Sequence, residues 1–210
     1  MQHIKMKNTV KFILITLFSI FAIFRIGKWT GILQNFLITT VSNEPALNIG
    51  DRVLGTNLIE PEKFDLILYK TPNNLEQSEI WSHRLCGTSN DTILIKDGTL
   101  FINGINVDQN LQLKHSYITY RNKLPLIIEK TNINQSNYFM FNADSIIIQL
   151  TKKEAEFFGI SNRYIKKGTD EEIRKIYDQN WNEDNFGPLI IPKDFLFVLG
   201  DNRNNSLEPI

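Results

Sequence analysis

The stretch of residues 91–106, DTILIKDGTLFINGIN, decides the fold class. Two runs rich in apolar residues, 91–95 and 99–102, flank an Asp-Gly pair at 97–98, and an Asn-Gly pair follows at 103–104. Such pairs favour the two-residue turns of β-hairpins, because both positions tolerate a positive φ. The stretch therefore predicts consecutive antiparallel strands joined by tight turns rather than βαβ units.

Short strands are predicted on both sides of this stretch. The segments with strand character, rich in β-branched and aromatic residues, are 36–41, 52–58, 64–69, 80–86 and 190–199. The sequence therefore predicts a mostly β fold built as an antiparallel sheet or barrel.

Residues 107–185 differ in composition from the rest of the chain, because they are polar and rich in Asn, Lys and Gln. Two helices are predicted there, each opening with a Thr followed three residues later by Glu, the pattern of a capping box. The first helix spans 151–158 and the second spans 169–177. We interpret this segment as an inserted α+β subdomain between the two parts of the β domain, 30–106 and 186–210.

The N-terminus predicts a membrane anchor. Residues 12–24 are uncharged and almost wholly apolar, and Lys11, Arg25 and Lys28 flank them. Long cationic side chains reach the headgroups, so a spanning helix can extend from Val10 to Trp29. Lysines ahead of the span favour a cytoplasmic N-terminus and an exported remainder. A cleaved secretory signal and a buried core helix are the alternatives.

Composition excludes some classes of function. Lys plus Arg equals Asp plus Glu at 23 each, so the formal net charge is zero. Nucleic-acid binding is not expected, because phosphate recognition needs an excess of positive charge. The single cysteine, Cys86, cannot form an internal disulfide and is expected to be a small core residue. No Cys/His cluster has the spacing of zinc ligands.

Three polar segments carry candidate chemistry. Ser42 follows a predicted strand and precedes a turn at Pro45, and His83 lies within a predicted strand. A neutral imidazole accepts a proton near pH 7, since its ordinary pKa is about 6.5. The third segment, residues 200–206 (GDNRNNS), is a dense turn cluster that can orient a base. Taken singly, each also fits an ordinary surface serine, a strand histidine or a polar loop.

In this order and after an apolar N-terminal helix, these segments resemble the type I signal peptidases of peptidase family S26. Four family motifs are matched in sequence order. The matching residues are Ser42, Pro45, Leu47, Gly50 and Asp51, the strand 64–69, then Trp81, Arg84, Leu85, Gly87, Asp91 and the hairpin run 95–104, and finally Gly200, Asp201, Asn202, Arg203, Asn205 and Ser206.

The chain departs from the family pattern in several places. His83 stands where most bacterial members have a catalytic Lys, a form similar to members that use Ser and His. A lysine base must be strongly desolvated before its pKa falls far enough for it to be neutral at pH 7, whereas the pKa of a histidine needs little shift. Asn43 replaces the usual Met, and Ala46 replaces the usual Thr. The closing strand expected after residue 210 is absent from the sequence.

The resemblance implies a membrane-bound serine endopeptidase that removes signal peptides from exported preproteins. It implies Ser42 as nucleophile and His83 as general base, with the Ser42 N–H and the Thr40 hydroxyl as oxyanion donors. Asp201 or Ser206 would orient the base. Arg84 and Arg203 would stabilise the loops of the site.

The same resemblance implies no metal and no cofactor. The expected partners are preprotein signal peptides, cut after small neutral residues, and the lipid bilayer. The expected location is the bacterial cell membrane, crossed once. The alternative is a catalytically impaired, truncated homologue that acts as a membrane-anchored binding or accessory protein.

Overall fold

The chain folds mostly as antiparallel β-strands, as the sequence predicted. The computed structural model describes residues 2–72, 78–131 and 133–206. The strands in this part of the chain are β1 (Leu33–Leu37), β2 (Arg52–Thr56), β3 (Leu66–Pro72), β4 (Ser78–Gly87), β5 (Thr92–Lys96), β6 (Thr99–Ile102), β7 (Ile105–Asn106), β8 (Lys114–Tyr120), β9 (Tyr138–Met140), β10 (Ser145–Thr151), β11 (Phe186–Ile190) and β12 (Phe197–Leu199). The α-helices are α1 (Gln2–Trp29), α2 (Leu124–Thr131), α3 (Lys152–Phe157) and α4 (Glu171–Tyr177).

The N-terminal helix begins well before the predicted start at Val10. Its part Lys7–Trp29 is long and apolar enough to cross a membrane, with a mean hydropathy of 2.1, and none of its most apolar window is buried. A helix buried in a protein core would lose most of its exposed surface, so this alternative does not fit.

The chain divides into two compact units. The first contains the residues up to Ile38 and Gly50–Glu60, including α1 and the antiparallel pair β1–β2. The second contains Thr39–Ile49 and the chain from Pro61 onward. Its strands form three sheets with the orders β12-β4-β3, β11-β5-β6-β7 and β8-β10-β9.

The two predicted hairpin turns are confirmed. Lys96 pairs with Thr99 across Asp97 and Gly98, whose φ angles are 49° and 66°. Ile102 likewise pairs with Ile105 across an Asn-Gly pair with φ angles of 52° and 81°. Two positive φ angles in a two-residue loop define the tight turn whose twist matches the flanking strands.

The second unit has two apolar cores. One contains Cys86, as predicted for that residue, and is formed by buried side chains of the sheet β11-β5-β6-β7 and its neighbours. The other lies between the sheet β8-β10-β9, α2 and α3, and includes Ile127 and Ile148. Ile173 of α4 packs into the first core, although it lies within the segment predicted as an insertion. The boundaries 107 and 185 stay a prediction.

Three predicted elements differ from the structure. The strand predicted at 36–41 ends at Leu37, so that residues 38–41 belong to the loop before the serine. The strand predicted at 190–199 is interrupted between β11 and β12, because Pro192 has no N–H to donate and its carbonyl accepts from Phe195 in a turn. Sequence reasoning placed the cap of α4 one residue too early.

The caps of the two predicted helices explain the last difference. Thr151 caps α3 with a complete capping box to Glu154, as predicted. In α4 the cap is Asp170 rather than Thr169, since the Asp170 carboxylate accepts from the N–H groups of Glu172 and Ile173. A carboxylate at this position satisfies two otherwise unpaired donors and also complements the helix dipole.

Candidate active site

Ser42 lies in a half-buried turn that follows β1 in the chain. Its carbonyl accepts a hydrogen bond from the Asn202 N–H (2.9 Å), and its Oγ accepts one from Thr40 Oγ1 (3.3 Å). The turn is closed by the Glu44 N–H, which donates to the Val41 carbonyl at 3.0 Å. The serine backbone is therefore held to the loop 200–206 that the sequence singled out.

Asn43 links the serine turn to the strand that carries His83. Its side-chain amide donates to the Ser82 carbonyl (2.6 Å) and to Ser82 Oγ (3.1 Å). Asn43 is 3% exposed, so water competes little for these bonds. The residue after Ser42 is thus bonded to the residue before His83.

His83 is buried in the middle strand of the sheet β12-β4-β3 and is 1% exposed. It pairs with Ile67 of β3, and its Nδ1 lies 2.6 Å from the hydroxyl of Tyr69, two residues further along. The Trp81 ring lies 5.8 Å from the imidazole, centroid to centroid. Burial lowers the pKa of His83 to about 4, so the imidazole is neutral at pH 7.

The loop 200–206 starts directly beside this strand, because Leu199 of β12 pairs with Arg84. Asp201, 1% exposed, accepts from Arg84 Nε at 2.6 Å and from Nη2 at 2.5 Å. Arg84 also donates to the Phe64 carbonyl. The hydrogen bond with Asp201 raises the pKa of the Arg84 guanidinium against the opposing effect of burial.

Two further loop residues have defined surroundings. Arg203 binds Asp108 through both terminal nitrogens, at 3.1 and 2.7 Å. Ser206 packs against Gly200: a Cβ built on that glycine would lie 2.5 Å from Ser206 Oγ and from the Ser42 carbonyl oxygen. Residue 200 thus lies so close to Ser42 and Ser206 that only a glycine fits there.

The structure therefore brings the serine turn, the His83 strand and the loop 200–206 together. Among the residues described, Ser42 and His83 share no hydrogen bond, and the carboxylate of Asp201 is paired with Arg84. His115 belongs elsewhere, since its Nδ1 lies 2.7 Å from Arg163, and burial followed by the charge of Arg163 lowers its pKa to about 3.

Two residues at this site, Tyr69 and Glu44, were missed from the sequence. Tyr69 was recognised only as part of a strand, because its approach to His83 depends on the β3–β4 register. Glu44 was not singled out from the sequence, yet it is 5% exposed and forms an ion pair with Lys114, 70 residues away. The only signal in the sequence was a charged residue within the otherwise uncharged stretch of residues 40–47.

Two comparisons with known proteins match most of this chain. A family model described as signal peptidase, peptidase S26, matches residues 6–147. Signal peptidase I of Buchnera aphidicola subsp. Baizongia pistaciae (strain Bp) is 28% identical over 203 residues. The match covers 85% of this chain and 64% of that relative's length. Because the family model matches more than half of the chain, this chain belongs to the signal peptidase family, peptidase S26.

Proposed function

We propose that this chain is a serine endopeptidase that removes signal peptides from exported preproteins, with Ser42 as nucleophile and His83 as general base. Family membership and the name of the Buchnera relative support the reaction class. The observation that carries the assignment of residues is that the Ser42 carbonyl is bonded to Asn202 while Asn43 is bonded to Ser82. These contacts hold the serine, the histidine strand and the loop 200–206 in one place.

The chemistry is an acyl transfer in two steps. Ser42 Oγ attacks the carbonyl of the scissile peptide bond while Nε2 of His83 accepts its proton. The imidazolium then returns that proton to the departing amine, and an acyl-enzyme ester remains on Ser42. A water molecule, deprotonated by His83, attacks the ester, and His83 returns that proton to Ser42 Oγ as the signal peptide is released. Ser42 and His83 share no hydrogen bond in this structure, so the approach of Ser42 Oγ to Nε2 accompanies substrate binding, as apo sites commonly require.

Tyr69 is proposed as the residue that orients the base. A neutral imidazole has one N–H, so Nε2 can accept the serine proton only if Nδ1 carries the hydrogen. The Tyr69 oxygen, 2.6 Å from Nδ1, supplies the acceptor that this tautomer needs. Asp201 is less suited to the role because Arg84 holds both its carboxylate oxygens. Ser206 stays a second candidate through its contact with the serine backbone.

Thr40 is proposed as an oxyanion donor together with the Ser42 N–H. The Thr40 hydroxyl lies 3.3 Å from Ser42 Oγ, within reach of an oxygen that develops charge beside that atom. In comparable enzymes one such donor contributes about 2.7–4 kcal/mol to transition-state stabilisation. Arg84 and Arg203 act on the loops of the site through their carboxylate partners, rather than on substrate.

The apolar N-terminal helix is proposed to anchor the chain in the cell membrane with the N-terminus in the cytoplasm. A preprotein is itself tethered to the bilayer by its signal peptide. Placing enzyme and substrate on the same surface raises the effective concentration of the cleavage junction near the site. Residues 107–185 are proposed to act as an inserted subdomain of the exported part.

The test is cleavage of a purified preprotein with an Ala-x-Ala signal junction, with the full chain in detergent. Wild type is compared with Ser42→Ala and His83→Ala. Cleavage at the junction by wild type alone supports the proposal. Activity that survives in His83→Ala removes the base assignment. A folded wild-type protein without product contradicts the peptidase and favours the accessory protein.

A further inference from the structure

Glu44, in the serine turn, forms a buried ion pair with Lys114. Lys114 Nζ lies 2.7 Å from Glu44 Oε2, and the two residues are 7% and 5% exposed. Glu44 is two residues after Ser42, whereas Lys114 is the first residue of β8 in the sheet β8-β10-β9. The pair joins parts of the chain that are 70 residues apart.

Two asparagines extend the pair to the serine backbone. Asn137 donates to the same Glu44 oxygen (2.7 Å) and accepts from the Asn202 side chain (2.8 Å). That side chain also reaches the Val41 carbonyl (3.2 Å), while the Asn202 N–H donates to the Ser42 carbonyl. Both asparagines are 0% exposed. Asn202 thus holds the carbonyls of the two peptide bonds on either side of the Ser42 Cα.

The Lys114 backbone completes the connection. Its N–H donates to the Asp201 carbonyl (2.9 Å), and its carbonyl accepts from the Arg203 N–H (3.0 Å). The residue that carries the cation is therefore bonded to the loop 200–206 on both sides of Asn202. A displacement of Lys114 must move Asn202, and with it the carbonyls of Val41 and Ser42.

A buried ion pair is a poor means of gaining stability. Removing two charges from water costs several kcal/mol per ion, and well-packed apolar residues often stabilise a core as well or better. In some proteins such groups select one geometry among several, since buried charges tolerate few alternative partners. The backbone that carries a nucleophile is a place where geometry matters more than stability.

We propose that Glu44, Lys114, Asn137 and Asn202 are positioning residues that fix the backbone at Ser42 for attack. The inference rests on Ser42 being the nucleophile. It assigns a role to the chain between β7 and β11, which contributes Lys114 and Asn137: that segment sets the position of the nucleophile without touching substrate.

The experiment separates positioning from stability with paired substitutions in the full chain. E44L/K114M removes both charges and the acceptor of Asn137, whereas E44Q/K114M removes the charges but keeps a side-chain oxygen for Asn137. Ile148→Ala, in the second core, is the control for lost stability alone, because the Ile148 side chain belongs to an apolar cluster and forms none of the hydrogen bonds of the network. Asn137→Ala is the further variant if E44L/K114M does not fold.

Two measurements are made on each folded variant: kcat and KM on the preprotein, and hydrogen exchange of the Asn202 amide, which needs no activity. In E44L/K114M we expect kcat to fall between about tenfold and 10²-fold with KM nearly unchanged, the effect of a misplaced reacting group. The Asn202 amide should exchange faster. E44Q/K114M should recover most of kcat, and Ile148→Ala should keep it.

Wild-type kcat and wild-type exchange of Asn202 in E44L/K114M, or in Asn137→Ala, would overturn the inference. A loss of kcat that only follows the melting temperature, equal in Ile148→Ala, would overturn it too. If wild type cleaves nothing, the proposed function fails. Hydrogen exchange of the Asn202 amide then tests by itself whether the ion pair and Asn137 hold Asn202 in place. Faster exchange in E44L/K114M than in E44Q/K114M supports the inference.

Discussion

The hydroxyl of Tyr69 lies 2.6 Å from Nδ1 of His83, and the two residues sit on adjacent antiparallel strands. The imidazole is almost wholly buried, so its N–H groups need protein partners. A phenol gives such a partner without a negative charge. A carboxylate here would raise the pKa of the histidine, whereas this site leaves the lowering effect of burial uncompensated.

Tyr69→Phe should slow catalysis while leaving the fold intact. The substitution removes only the oxygen that Nδ1 contacts, so the imidazole loses its preferred tautomer and orientation. The loss of one net hydrogen bond, about 0.5–1.5 kcal/mol, corresponds to roughly a two- to tenfold fall in kcat. Steady-state cleavage of the preprotein measures it, with Tyr120→Phe as the control at an exposed tyrosine.

A Tyr69→Phe variant with wild-type kcat would show that another group orients His83. The next substitution is then Ser206→Ala, which removes the hydroxyl packed against Gly200. Equal losses in Tyr69→Phe and Tyr120→Phe would indicate a general effect on the protein rather than on the base.

The pH dependence of kcat/KM should have its acid limb near 4. As the proposed base, His83 acts only when it is neutral, and burial lowers its pKa to about 4. From the sequence alone the limb is expected near the ordinary histidine value of about 6.5. A cleavage assay from pH 3.5 to 8, with circular dichroism at each pH to confirm folding, distinguishes the two. A limb near 6.5 would mean that water reaches the imidazole in the working enzyme.

The same sequence rules succeeded locally and failed at long range. The Asp97-Gly98 and Asn103-Gly104 turns were predictable because two adjacent residues determine the backbone conformation. The α3 cap was predictable for the same reason, since Thr151 and Glu154 are three residues apart. The cap of α4 was missed by one residue because Thr169 and Asp170 both suit the position.

Long-range relationships in the site required the tertiary structure. Family motifs placed Ser42, His83 and Asp201 in one site, but not their partners. The contact of Tyr69 with His83 depends on a strand register, and a slip of one residue would turn the side chain to the other face. The pairing of Glu44 with Lys114 depends on how two separate sheets pack, which no local pattern specifies.

Arg84→Met should destabilise the fold strongly. It leaves the Asp201 carboxylate, 1% exposed, without its cation, and breaking a buried pair in this way costs about 3–5 kcal/mol. Adding Asp201→Asn removes the stranded charge and should restore part of the loss. Urea unfolding of both variants measures the free energies. A double variant no more stable than Arg84→Met would show that the carboxylate is not the source of the cost.

Lys63→Met should cost stability at pH 6 and little at pH 2. Burial disfavours the Asp91 carboxylate, but hydrogen bonds from Lys63, Thr88 and Asn103 outweigh it and lower its pKa from 3.8 to about 2. A carboxyl with a lowered folded pKa contributes stability above its ordinary pKa, and this contribution is lost as the pH falls through about 2. Its size is about 2 kcal/mol for all partners together.

Lys63 supplies only a share of that stabilisation, since its side chain is 39% exposed and solvent screens the pair. Unfolding of wild type and Lys63→Met is compared by urea titration between pH 2 and 6. The difference in unfolding free energy should shrink as the pH falls. A difference that stays constant would assign the effect of Lys63 to packing of its aliphatic stem rather than to the ion pair.

Gly200→Ala should abolish most activity, because the added Cβ would lie 2.5 Å from the Ser42 carbonyl oxygen and from Ser206 Oγ. The Ser206 hydroxyl can rotate away, but the Ser206 Cβ, also 2.5 Å from the added atom, cannot, and the backbone of Ser42 is held by Asn202. A shift of the nucleophile by about 1 Å can cost about 10²-fold in rate.

Gly104→Ala is the matched control for this substitution. Gly104 has nothing within 4 Å of its Cβ position and a φ of 81°, so alanine there strains a turn remote from the serine. It should lower the melting temperature but leave kcat unchanged. Gly200→Ala should lower kcat more than its stability loss explains. If both variants kept wild-type kcat, the close approach of Gly200 to Ser42 would have no part in catalysis.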